Sequence, residues 1–189
     1  MNSSSRRNTL PGDTTGIPVL VHGLERTWSY KCNESKYTAV AVKSGPSVVN
    51  GLLIEIEDLD YLSLLDQREK EYERVIIHHS QIQCWNTKET WWNDENSVIW
   101  VYQLPKTART EHLPSDDYPI PQTYIDTIIA GCLNYGHEFT KAFLQLTRGW
   151  TRDFLKNDRH DPLKKFTMDK LSINPIIFDY LIQENVIFE

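Results

Sequence analysis

The feature that most constrains the fold is a change of period along the chain. Up to about Leu104, one inserted helix aside, the apolar residues recur mostly at every second position, and from Gln122 onward they recur at every third or fourth. Period two marks strands with one buried face, and period 3.6 marks helices with one buried stripe. Strands gathered first and helices gathered afterwards predict an α+β chain, a small and mostly antiparallel β barrel or sheet with a helical C-terminal extension. The expected division is a polar segment over residues 1–16, the barrel over 17–110 and the helical part, packed on it, over 111–189.

Within the first part, Ile17, Val19 and Val21 alternate with Pro18, Leu20 and His22 to give a first strand. Pro18, which has no N–H to donate, suits its beginning or its edge. Leu24, Trp28 and Tyr30 extend it toward a turn at residues 32–35. Residues 37–42 are β-branched, aromatic or small and predict a buried strand, after which Ser44-Gly45-Pro46 reads as a turn. Residues 50–77 then read as strand, helix, strand. Asn50-Gly51 is a turn signal, and Leu52, Ile54 and Ile56 alternate with Leu53, Glu55 and Glu57. Asp58 is placed to cap a helix whose apolar face is Leu59, Leu62, Leu64 and Leu65. The helix runs out near Glu69, and Val75, Ile76 and Ile77 begin the next strand. Residues 98–104 form the last one, with Trp100 and Tyr102 on one face and Ile99 and Val101 on the other.

Beyond a polar connection over residues 106–121, residues 122–135 predict a helix closed by Gly136, with Tyr124, Ile125, Ile128, Ile129, Cys132 and Leu133 inward. Phe139, Ala142, Phe143 and Leu146 mark a second helix. Asn174-Pro175 reads as the cap and first residue of a third, with Ile177, Tyr180 and Leu181 inward. Asp158 and Arg159, in a polar loop, are candidates for a local ion pair, a cap or a partner contact.

Composition excludes several classes. A chain of 189 residues can bury a real core as one domain, with or without an appended subdomain. A net charge of -6 leaves no basic surplus for a general nucleic-acid binder. No run of about 18 apolar residues predicts a membrane span, and residues 1–16 hold no apolar core of a secretory signal. Cys32, Cys84 and Cys132 are widely spaced and lack a Cys-x-x-Cys pair, which suits reduced thiols in a cytoplasmic protein. No ligand spacing supports a metal site, and the adjacent His78 and His79 would point to opposite faces of a strand. Trp85, Trp91 and Trp92 suit packing over the end of the barrel better than a hairpin-tip binding platform. Glu69 lies where helix gives way to strand, and a carboxylate there can move protons. A lone helix glutamate is nonetheless most often a solvated surface residue.

Several segments together resemble the gamma-glutamylcyclotransferase superfamily. They are Gly51 to Ile56, then Leu62, then Leu65-Asp66-Gln67-Arg68-Glu69, then Tyr72-Glu73-Arg74-Val75. The family pattern is a strand opening near a glycine, a helix ending in Leu-Asp-x-x-Glu, and a Tyr-x-Arg-Val strand. The first strand with its Trp28, and Thr38-Ala39, are similar to the family as well. The helical segments 119–133 and 139–147, Gly149-Trp150 and Asn157-Asp158-Arg159 resemble a bacterial-type subgroup with a C-terminal helical part. The resemblance covers about residues 17–159.

The resemblance implies a small β barrel flanked by helices and a reaction that needs no cofactor. The α-amine of a gamma-glutamyl amine or peptide, glutathione among them, attacks its own γ-carbonyl. 5-Oxoproline forms and the amine leaves. Glu69 matches the family glutamate, which takes a proton from the attacking ammonium and delivers one to the leaving nitrogen. Burial beside apolar strands would raise its pKa toward the working pH. Tyr102 and Tyr72 match positions that line the substrate pocket. Arg26, Arg68 and Arg74 are candidates to receive an acidic substrate.

There is one departure. The family opens on a strand ending in Tyr-Gly-Ser-Leu, whose backbone N–H groups hold the substrate and the developing oxyanion. This chain contains no Tyr-Gly-Ser-Leu. Met1 is therefore expected to be an internal methionine, or the chain a degenerate member. In either case weak activity at best is expected. A noncatalytic small-molecule-binding or interaction protein on the same fold is the alternative. A carbohydrate or peptide binder built on Trp85, Trp91 and Trp92 is a third reading, with no support elsewhere in the chain.

Overall fold

The computed structural model describes residues 16–56, 58–86, 92, 94, 96–106, 112–162, 166 and 175–188. It is an α+β structure. Among these residues the elements run β1 (Ile17–Cys32), β2 (Tyr37–Leu53), α1 (Asp60–Arg68), β3 (Glu73–Ile77), a 3-10 turn (His79–Gln81), β4 (Ile82–Cys84), β5 (Ile99–Gln103), β6 (Ile120–Pro121), α2 (Gln122–Leu133), α3 (His137–Leu146), β7 (Thr147–Arg148), β8 (Leu155–Lys156) and α4 (Pro175–Asn185). β1 lies between β2 and β4 and also pairs with β7, while β3–β5 and β6–β8 form separate pairs. The strands of the described residues thus pair as three sheets, without the ladder that would close them into a barrel. None of the described helices is long and apolar enough to cross a membrane.

The chain divides into two compact units. Of the described residues, one holds those within 26–41 and 112–188 and the other those within 16–25 and 42–106. In the second, Ile17, Val19, Val21 and Leu24 of β1 meet Val49 of β2, Ile77 of β3, Ile82 of β4, Ile99 of β5 and Trp92 in one core. Each such side chain contributes roughly 1.5–3 kcal/mol by leaving water. The buried positions of β1 change phase at Gly23, from Val19 and Val21 to Leu24, Arg26 and Trp28. Gly23 takes φ 83°, the left-handed region, which lets the strand absorb the change without a side-chain clash. Leu104 N–H donates to the Val42 carbonyl (2.9 Å) and Ser44 Oγ to Gln103 Oε1 (3.1 Å), tying β2 to the end of β5 within this unit.

In the first unit, α2 buries Ile125 and Ile129, α3 buries Phe143 and Leu144, and α4 buries Phe178, Leu181 and Ile182. Trp28 packs edge-on to Trp150 and Tyr124, and Phe166 stacks on Tyr124. Arg26 is buried here, donating from Nε to Thr147 Oγ1 (2.8 Å) and from Nη2 to the Phe143 carbonyl (3.1 Å). Burial brings its pKa down to about 10.

Several sequence expectations are corrected. Ser44-Gly45-Pro46 and Asn50-Gly51 do not turn the chain, because β2 runs through both to Leu53. Gly45 serves a close approach instead: a Cβ there would lie 2.5 Å from Glu25 Cγ. The strand expected to reach Ile56 stops at Leu53. Leu59, not Asp58, is the N-cap of α1, without a side-chain bond, while Asp58 Oδ1 accepts from Asp60 N–H (2.9 Å). The helix buries only Leu65, and Leu59 is 67% exposed. Gly136 is the N-cap of α3 at φ 101°, and α2 ends at Asn134. On α4, Leu181 faces inward as expected, but Ile177 and Tyr180 are exposed and Phe178 and Ile182 take the inward places. His78 and His79 lie at a 3-10 turn rather than on a strand, with His78 as its cap. The expectations on the polar segment before Gly16, on Glu57, on Trp91 and on Asn174 fall outside the described residues.

Candidate active site

The C-terminal end of α1 carries Glu69. The helix ends there because the carboxylate-bearing residue leaves helical geometry at φ -97°, ψ 27°. Both of its backbone groups are held: its N–H donates to the Leu65 carbonyl and its carbonyl accepts from Tyr72 N–H, each at 2.8 Å. The side chain is only 20% exposed and meets Arg68 Nε at 3.2 Å. Burial raises the Glu69 pKa, and the neighbouring Arg68 offsets part of the rise.

One helical turn earlier, Asp66 faces the same way, since residues three apart share a helix face. Its Oδ1 accepts from the Tyr102 hydroxyl at 2.7 Å, and its Oδ2 lies 3.4 Å from Arg74 Nη1. Tyr102 and Arg74 stand directly opposite in the antiparallel β3–β5 ladder, so their side chains leave the same face of the sheet. The Arg74 guanidinium lies 5.3 Å from the centre of the Trp100 ring, the next outward residue of β5. Desolvation first, and then the bond to Asp66, raise the Tyr102 pKa, with Glu69 adding to the rise through its charge. The phenol is therefore a neutral hydroxyl donor at any physiological pH.

Of the groups expected from the sequence, Glu69 lies close enough to Tyr102 for its charge to add to the raised phenol pKa, and Tyr72, three residues after Glu69, is half-buried with its N–H bonded to the Glu69 carbonyl. Of the three candidate cations, Arg68 and Arg74 stand at this helix end, whereas Arg26 is buried among Thr147 and Phe143 in the other unit. Asp66 was legible only as part of a motif, and its i, i+3 spacing to Glu69 was the signal for a role at the site. Trp92 lies in the core rather than on a binding platform. Among the described residues no group of three or more His, Cys, Asp or Glu is placed to hold a metal ion. His78 and His79 are engaged elsewhere, His78 with Ser80 Oγ (2.8 Å) and His79 with the Ser97 carbonyl (2.9 Å).

Chemically, this arrangement joins a desolvated carboxylate to a protonated phenol and two guanidinium groups. It can take up and return a proton, donate a hydrogen bond and attract an anionic group. No family model matches the chain, and the search of curated proteins finds no match.

Proposed function

We propose that the chain is a gamma-glutamylcyclotransferase-like protein that closes a gamma-glutamyl amine or peptide to 5-oxoproline, weakly at best because it lacks the Tyr-Gly-Ser-Leu segment. The observation that carries this is Glu69: a carboxylate withdrawn from water, with a raised pKa, at a helix end that also faces Tyr102. Glu69 takes a proton from the substrate α-ammonium. The freed amine nitrogen attacks the γ-carbonyl carbon, and a new C–N bond closes the five-membered ring. The ring nitrogen sheds its second surplus proton, the old amide C–N bond breaks, and Glu69 returns the first proton to the leaving nitrogen. The products are 5-oxoproline and the amine, which takes up the second proton and departs as an ammonium. Attacking and attacked atoms belong to one molecule, so orientation costs little and no cofactor is required. The Tyr102 hydroxyl, whose one proton goes to Asp66 Oδ1, offers its oxygen as an acceptor to a substrate N–H, and Arg68 and Arg74 supply the positive charge for an acidic substrate.

The test is release of 5-oxoproline from a panel of gamma-glutamyl amines and peptides, glutathione included, at high protein concentration. Turnover that disappears in Glu69→Gln is the expected result. Ligand-dependent melting without turnover, in a folded protein, would replace the enzyme by a noncatalytic binder of the same small molecules.

A further inference from the structure

We infer that Asp66 is the positioning residue of this site, its one carboxylate fixing the Tyr102 hydroxyl and the Arg74 guanidinium against the helix end that carries Glu69. What the fixing serves rests on the cyclotransferase proposal. The contact itself rests on geometry alone. Asp66 reaches 36 residues along the chain to Tyr102, at 2.7 Å, and uses its other oxygen for Arg74. Its two partners are cross-strand neighbours on one face, so a single carboxylate sets both their positions. Tyr102 and Arg74 have long or bulky side chains with several open rotamers, and although Arg74 also meets the Trp100 ring, Asp66 is the group that contacts both.

The role is not one of holding the fold together. The Asp66 side chain is 44% exposed, and a half-exposed ion pair contributes little to stability. Its effect falls on order at the site instead. A misplacement of about 1 Å in a group that orients substrate can cost about a hundredfold in rate. Asp66 and Glu69 also divide two tasks between neighbouring carboxylates. Asp66 is occupied by hydrogen-bond and ionic partners, and Glu69 is left to move protons.

The experiment uses the full chain as parent, Asp66→Asn, Tyr102→Phe and Glu69→Gln. Tyrosines labelled with 13C at the ring carbon bearing the hydroxyl are titrated by NMR, and the Tyr102 resonance is the one lost in Tyr102→Phe. Asn keeps the size of Asp and an accepting oxygen but removes the charge. The expected result is that Tyr102 ionises at a lower pH in Asp66→Asn than in the parent. Turnover number should fall about tenfold or more, and KM should change less. A Tyr102 titration unchanged by Asp66→Asn overturns the inference, as does unchanged turnover in an active protein. A parent that releases no 5-oxoproline overturns the proposed function alone, and the Tyr102 titration still decides whether Asp66 holds the phenol.

Discussion

Glu69 and Asp126 are both carboxylates withdrawn from water, one in each unit of the chain, and they are treated differently. Asp126 on α2 is fully buried, and every side of it is answered. Arg159 binds it as a fork, Nε to Oδ2 and Nη2 to Oδ1, both at 2.7 Å, and Gln122 Nε2 donates at 3.0 Å. The same guanidinium reaches Asp179 on α4 at 2.9 and 3.0 Å. Asp158, next in the chain, accepts from Thr123 N–H and Oγ1 at the start of α2. Glu69 is as a whole less buried, and the adjacent Arg68 pairs with it but leaves its pKa raised. A buried charge with a complete shell is a structural element. A carboxylate whose pKa burial raises keeps both protonation states within reach, which is what proton transfer needs.

The sharpest way to break this contrast is to remove the shell of Asp126. Arg159→Met leaves a buried carboxylate with no fork opposite it and should cost about 3–5 kcal/mol of unfolding free energy. A loss below about 1 kcal/mol in urea titrations would mean that Asp126 is not locked as described. Next in size is Glu69→Gln. Turnover should fall about 10²–10⁴-fold, the range for loss of a general acid–base group, with no loss of stability near neutral pH. A destabilised variant would put Glu69 among the structural carboxylates.

The third effect is smaller and has a definite sign. The folded protein holds the Glu69 proton above 4.5, the ordinary value, whereas the unfolded chain releases it there. Between that value and the raised folded pKa the folded state binds more protons, so stability falls as pH rises through the window. Glu69→Gln should flatten this slope, and an unchanged slope in chemical melts would count against the raised pKa. The smallest effect concerns two phenols. Tyr102, desolvated and bonded to a carboxylate, is shifted up. Tyr118 accepts from Lys36 Nζ at 2.9 Å and has Lys31 over its ring at 4.1 Å, and these shift it down. Tyr118 should therefore ionise before Tyr102 in an alkaline titration, and Lys36→Met should narrow the gap.

The α+β order was legible because, one inserted helix aside, strand periodicity comes first and helical periodicity after, and the end of α1 at Glu69 because its helical pattern runs out there. The outward pairing of Trp100 with Tyr102 followed from alternation alone. Gly45, Pro46 and Gly51 misled, because turn signals are local while strand pairing is not. Gly45 answers to Glu25, 20 positions away in the chain. Asp158 and Arg159 carried the right chemistry, a cap and an ion pair, but their partners are Thr123 and Asp126, not each other. Asp66 reaching Tyr102 is the same kind of miss: a contact made across the fold, with no periodicity to announce it.

The most direct test of this contrast is the titration of Glu69 itself, followed through its side-chain carboxyl carbon by NMR and assigned by its loss in Glu69→Gln. A midpoint above 4.5 is the predicted result. A midpoint at or below that value would make Glu69 an ordinary solvated carboxylate and contradict its assignment as the proton carrier of the site.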